Sequence, residues 1–351
     1  MAVEPYPRRL FDHWHLEETV NYIESVQLDS GLIPWYENGT ADPWDHVESA
    51  MGLSIGGRFD AAEKAYQWMF ENQLEDGSWY AAYNYDGSPA DRTRETHRSA
   101  YLATGVWHHY LITGTESFLK DMWPAVRRAM MFTLRLQTED GDIEWAIDEE
   151  GSVDHDSLLT GCSSIYKSLE CAVNIAETIE TDFDGWKFAR KRLGRAIRNK
   201  PHRFDRSWES KDRYSMNWFY PVLCGVYTGI PAEIRLTQRW DEFVETGMGC
   251  RCVSDEPWVT VAETSELIMS LEAIGEHTQA ATLFSWLYQW QDSDGGYWTG
   301  YQFDEETLWP EEKSTWTAGA VLLAADALAD TTPASKLFSP YSMLSSASSM
   351  T

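Results

Sequence analysis

The chain is poor in cysteine, poor in basic residues and without a long apolar run, and each shortage removes a class of protein. Its five cysteines, Cys162, Cys171, Cys224, Cys250 and Cys252, are odd in number and scattered along 351 residues. No disulfide framework is expected, and the reading places the protein in the cytoplasm, where the Asn38-Gly39-Thr40 sequon is idle. No segment approaches the roughly 18 apolar residues of a membrane span, and no basic start leads into an apolar stretch, so neither a span nor a secretion signal is expected. Against 56 acidic side chains there are 28 basic ones, a net charge of −28, which repels nucleic acid and anionic lipid headgroups. A Gly-rich phosphate loop and a Ser-centred nucleophile elbow are both missing, so phosphoryl and hydride transfer drop out. Cys250-x-Cys252 with Asp255 and His277 could be assembled into a zinc site, but neither a metal nor a cofactor is expected.

Tryptophan, by contrast, is abundant, with 18 residues. Indole is costly to bury completely and useful where the face of a ligand must be stacked. Apolar residues recur at helical spacing in about twelve stretches, from residues 16–28 to residues 314–329, and no strand pattern stands out. The links alternate between short ones (Gly56-Gly57, Gly114-Thr115, Gly275) and long loops rich in Gly, Asp and Trp. This alternation reads as six helical hairpins: an all-α domain over residues 1–330, followed by a Ser-rich tail of low packing content over 331–351.

The long loops also repeat one another. In 27-QLDSGLIPW-35, 73-QLEDGSW-79, 137-QTEDGDIEW-145 and 291-QDSDGGYW-298, Gln at a helix end is followed by an acid, a Gly and a Trp. The Gly supplies the left-handed residue that stops a helix, and the Trp is delivered over the end of the bundle.

This plan resembles the six-hairpin (α/α)6 toroid, six inner helices ringed by six outer ones, over nearly the whole chain. The Gln-x-x-x-Gly-x-Trp pattern at Gln73, Gly77 and Trp79 is similar to the repeat of squalene-cyclase and prenyltransferase toroids. The hairpin order, with 107-WHHYLITGTESFLKDMWPAV-126 in the middle and 309-WPEEKSTWTAGAVLLAADAL-328 at the end, looks more like glucoamylase and related inverting glycosidases. The Asp-x-Asp-Asp run of terpenoid cyclases is absent.

The resemblance implies that the long loops preceding the inner helices gather over a central cavity. They carry the expected substrate-binding residues Trp35, Trp44, Asp45, His46, Trp79, Arg94, Glu95, Trp145, Tyr214, Trp258, Trp298 and Trp316. Aromatic walls among carboxylates suit a neutral oligosaccharide, because rings stack on the apolar faces of sugars and carboxylates accept from hydroxyls. Inverting hydrolysis needs two carboxyl groups flanking the scissile bond, one protonated and one ionised. Likeness to glucoamylase nominates Glu311, then Glu312, as the base. In such enzymes the acid follows a Trp, but no glutamate follows Trp145, so Glu144, Asp148 or Glu149 stands in for the acid. Glu263, on an inner helix with little room for unpaired charge, is the remaining catalytic candidate. An isoprenoid-binding toroid and a noncatalytic sugar-binding toroid are the alternatives.

Overall fold

The computed structural model describes residues 13–183 and 185–339. Thirteen helices occur among them: α1 (His13–Val26), α2 (Pro43–Ile55), α3 (Phe59–Glu71), α4 (Thr96–Thr113), α5 (Glu116–Arg135), α6 (Leu159–Thr178), α7 (Trp186–Asn199), α8 (Ser215–Leu223), α9 (Ile230–Gln238), α10 (Trp240–Phe243), α11 (Val261–Ile274), α12 (His277–Leu287) and α13 (Thr315–Ala329). Six of them are apolar on nearly every side, and these form a closed ring. In it α2 packs on α4, α4 on α6, α6 on α8, α8 on α11, α11 on α13, and α13 back on α2. The amphipathic helices α3, α5, α7, α9 and α12 each cover the inner helix before them, while α1 lies on α13 and joins the two ends of the chain. None of the described helices is long and apolar enough to cross a membrane.

The repeated Gln and Gly residues build the outer wall. The Gln73 amide donates to the carbonyl of Gly77 and, across the hairpin boundary, to that of Ala125, both at 2.9 Å. Gln27 does the same for Gly31 and Ala61, and Gln137 for Gly141 and Ala189. Gln291 reaches Thr19 on α1. Each Gln ties its own turn to the next outer helix. Gln73→Ala, which leaves two carbonyls without their donor, is expected to cost about 1–3 kcal/mol in urea unfolding.

The all-α expectation needs correcting, because among the described residues three small antiparallel sheets occupy the long-loop face. One pairs 82–83 with 89–91, one runs 94–95, 146–147, 153–154, and the third orders 307–308, 300–302, 258–260, 249–251, 244–245. Long loops must satisfy their backbone polar groups, and mutual pairing does so. Strands of two or three residues are too short for a period of two to show in the sequence. The tail boundary at 330 also shifts. Ala334, Leu337 and Phe338 are buried, and the Lys167 ammonium donates to the Leu337 carbonyl at 3.0 Å. The rest of the expected tail, 340–351, and the first twelve residues lie outside the described residues.

Candidate active site

Helix α2 starts where Asp42 caps it, its carboxylate accepting from the amides of Trp44 (2.9 Å) and Asp45 (3.1 Å), with Pro43 at the first helical position. The same carboxylate accepts from the Trp35 indole at 3.1 Å. The loop before α2 is stitched to the start of α13, since Thr315 donates its amide to the Trp35 carbonyl and its hydroxyl to that of Pro34. The opening turns therefore lie side by side. A cavity of about 340 Å³ sits among the first turns of five inner helices and the second turn of α11, within the usual range of small-ligand sites. Its walls are Trp35, Asp42, Trp44 and Asp45 at α2, His97 and Arg98 on α4, Leu158 and Thr160 at α6, Lys211, Tyr214, Met216 and Asn217 at α8, Glu266 on α11 and Trp316 on α13. Five helix N-termini around one space make it hospitable to carboxylates.

Carboxylates crowd the cavity and the floor beneath it. Burial, then the neighbouring Asp42, pushes the Asp45 carboxyl well above the usual range, with the Arg98 guanidinium opposing the shift. Below it, burial lifts Glu48 to about 8, although the Trp44 indole donates to it at 3.1 Å and the Tyr101 hydroxyl stands 3.5 Å from the same oxygen. Its Oε1 and the Oε2 of Glu266 have no partner among the described residues. Glu266 is also held protonated, by burial and by the charges of Glu48 and Glu263. Glu95, paired with the Arg98 Nε at 3.0 Å, is raised to about 7, mainly by burial. His97, pulled down to about 3 by burial, is neutral. Trp44 stacks on Tyr101, ring centres 4.7 Å apart, and closes the floor.

Buried acids of this kind tie stability to pH. Between about pH 4.5 and 8 the folded chain holds a proton on Glu48 that the unfolded chain has released, so its contribution is complete below pH 4.5 and is lost as pH rises through 8. Thermal midpoints recorded from pH 4.5 to 8.5 should fall less steeply for Glu48→Gln than for the parent; parallel curves would refute this.

Of the residues expected from the sequence, the cavity unites Trp35, Trp44, Asp45, Tyr214 and Trp316, with Glu95 beside Arg98. Glu263 lies one turn before Glu266 on α11, on the same helix face. His46 is corrected. It is turned into the wall, where its Nδ1 accepts from the Ile33 amide at 3.0 Å and its Nε2 donates to the Ala65 carbonyl at 2.9 Å. Burial lowers it to about 4, so it is a neutral strut. Trp79 is also structural, buried to 1% exposure with its indole on the Met69 carbonyl. Arg94 pairs with Asp76 at 3.0 Å and donates to the Asp148 carbonyl. Glu144 binds His155 at 2.8 Å, while Trp145 and Asp148 line a separate depression. The Trp258 indole donates to the Trp309 carbonyl. Trp298, Glu311 and Glu312 line a second cavity, against α1. The sequence reading missed His97, Arg98, Lys211 and Asn217. The legible signal for the first two was 96-THRSAY-101, charged and aromatic residues opening an otherwise apolar inner helix.

No family model matches the chain. It is 44% identical over 321 residues, 92% of this chain and 88% of the relative, to the MMP endo-(1,4)-3-O-methyl-alpha-D-mannosidase of Mycolicibacterium hassiacum. Among solved structures, a glycosidase variant in complex with glucose superposes with a TM-score of 0.70 at 14% identity, covering 93% of this chain and 100% of that one. A D-mannose isomerase gives 0.69 at 13% identity over 93% and 99%. A sugar epimerase from a ruminal bacterium gives 0.67 at 11% identity over 89% and 98%. At such identities these neighbours establish the fold alone, a helical toroid shared by sugar enzymes. The likeness of the Gln-x-x-x-Gly-x-Trp repeat to isoprenoid toroids has no support among them, and the repeat's work here is to join hairpins.

Proposed function

The chain belongs to the family of the Mycolicibacterium hassiacum MMP endo-(1,4)-3-O-methyl-alpha-D-mannosidase, and from that premise we propose that it is a glycoside hydrolase cutting within chains of (1,4)-linked, O-methylated α-mannose. The observation that carries this is the cavity itself, where a protonated Asp45 and Glu266 share one aromatic-walled space, with Glu263 one turn before Glu266 on the same face of α11. Asp45 gives its proton to the glycosidic oxygen as the C–O bond breaks. Glu263, in the first turn of α11 where the helix N-terminus favours a charged carboxylate, takes a proton from the water that attacks the anomeric carbon. The product anomer is inverted. Glu266, one turn deeper, is held protonated. Trp35, Leu158, Met216 and Trp316 offer apolar surface to methoxy groups, and Asn217, Lys211 and Arg98 offer donors to ring hydroxyls.

This reading moves the chemistry away from Glu311, Glu312, Glu144 and Asp148, which lie in other depressions or pair with other side chains. The test is hydrolysis of a synthetic 3-O-methyl-α-(1,4)-mannan oligosaccharide followed by proton NMR. Internal cleavage with β-anomer released first supports the proposal; a first-formed α-anomer sinks the inverting mechanism, and binding without cleavage favours the noncatalytic alternative. Activity should also fall as the medium becomes alkaline and Asp45 loses its proton.

A further inference from the structure

The second cavity, about 800 Å³, lies between α1 and the loops that precede α13, with Tyr22, Tyr36, Trp298, Glu311 and Glu312 in its walls. It adjoins the first. Trp35 faces the central cavity and Tyr36 the second, while Lys313 and Trp316 divide in the same way across the other strand of the seam. The aromatic surface is presented to solvent: Tyr36 is 36% exposed and Trp298 half-buried. The Trp298 indole is held from one side by the Lys313 ammonium, 5.1 Å from the ring centre, and Lys313 is itself fixed by Asp292 at 2.6 Å. Tyr22 donates its hydroxyl to the Lys313 carbonyl, and the Thr299 amide donates to the Glu312 carbonyl, so both walls are anchored. The Glu311 and Glu312 carboxylates have no hydrogen-bond or ion-pair partner among the described residues. Anchored rings beside unengaged acceptors form a surface suited to a neutral polyhydroxyl chain, stacking its sugar faces and accepting from its hydroxyls.

We infer that this second cavity is a remote carbohydrate-binding site, which holds the substrate chain beyond the segment lying in the central cavity. The inference rests on the hydrolase reading for its ligand, a neutral O-methylated α-mannan. An enzyme that cuts inside a chain benefits from holding it at two places, because the second contact is then intramolecular and raises affinity without changing the chemistry. The carboxylates nominated from the sequence as catalytic thereby become acceptors for sugar hydroxyls.

Calorimetric titration with 3-O-methyl-α-(1,4)-mannan oligosaccharides of increasing length tests this, using Asp45→Asn protein so that the ligands stay intact. Affinity should climb once the chain is long enough to cross the Trp35-Tyr36 ridge. Trp298→Ala should then weaken the longest ligand roughly tenfold and leave the shortest unchanged, and Glu311→Gln/Glu312→Gln, which preserves shape, should move in the same direction. Equal weakening of short and long ligands, or unchanged binding of the long one by both variants, overturns the inference. Failure of the hydrolase reading has a different signature: the parent protein binds the long chain and does not cleave it.

Discussion

Asp45→Asn should lower the rate of mannan hydrolysis by about 10²–10⁴-fold, the range over which a positioned general acid acts, while the protein folds as before. Its carboxyl sits in the first turn of α2, amid Asp42, Glu48 and Arg98, and is kept protonated by burial and by the Asp42 charge. An amide of the same shape keeps the packing and removes the transferable proton. Loss of stability is not expected, because the change takes an ionisable group out of a crowded acidic site. Single-turnover rates with the oligosaccharide, alongside thermal melts, read both quantities. A variant within threefold of the parent rate would move the acid elsewhere, to Glu95 or Glu266 first. Glu263→Gln should be similarly inactive, and Glu266→Gln less so, since Glu266 already carries a proton.

The largest expected loss of stability comes from a residue far from that chemistry. Gly77 has φ +96°, and a Cβ there would lie 2.3 Å from the carbonyl oxygen of Arg128 on α5. Gly77→Ala therefore combines an unfavourable left-handed backbone with a collision against main chain that cannot swing aside. Together these should cost roughly 2–5 kcal/mol in denaturant unfolding. Gly57 provides the comparison, with φ +72° but nothing within 4 Å of its would-be Cβ, so Gly57→Ala should cost only about 1 kcal/mol. Equal costs at the two sites would show that conformation alone matters and that close approach of the outer helices does not.

The contrast between these glycines marks how far sequence reasoning reached. Gly77 stood out because it recurs with Gln73 in four related loops, and the structure explains the recurrence: each Gly is the point where one hairpin touches the next. The repeat thus marked joints between hairpins without announcing their ligand. Trp79 and His46 were read as cavity residues because an aromatic or an imidazole on a loop carries the same letter whether it faces a ligand or a neighbouring helix. In the structure both have spent their polar atoms on main-chain partners, Met69 for one, Ile33 and Ala65 for the other.

The sequence by itself determined the helical hairpins, their number, and the loops at which polar and aromatic side chains accumulate, because helical periodicity, stop signals and repeats are local properties of a chain. Only the tertiary structure decided which acids meet. Asp45 and Glu266 are more than two hundred residues apart yet open onto one cavity, whereas Glu311 and Glu312, only a few residues from Trp316, open onto another. Ring closure sets those neighbours. The elevated proton affinity of Asp45, Glu48 and Glu266 likewise arises only when burial strips water from acids brought together by different helices.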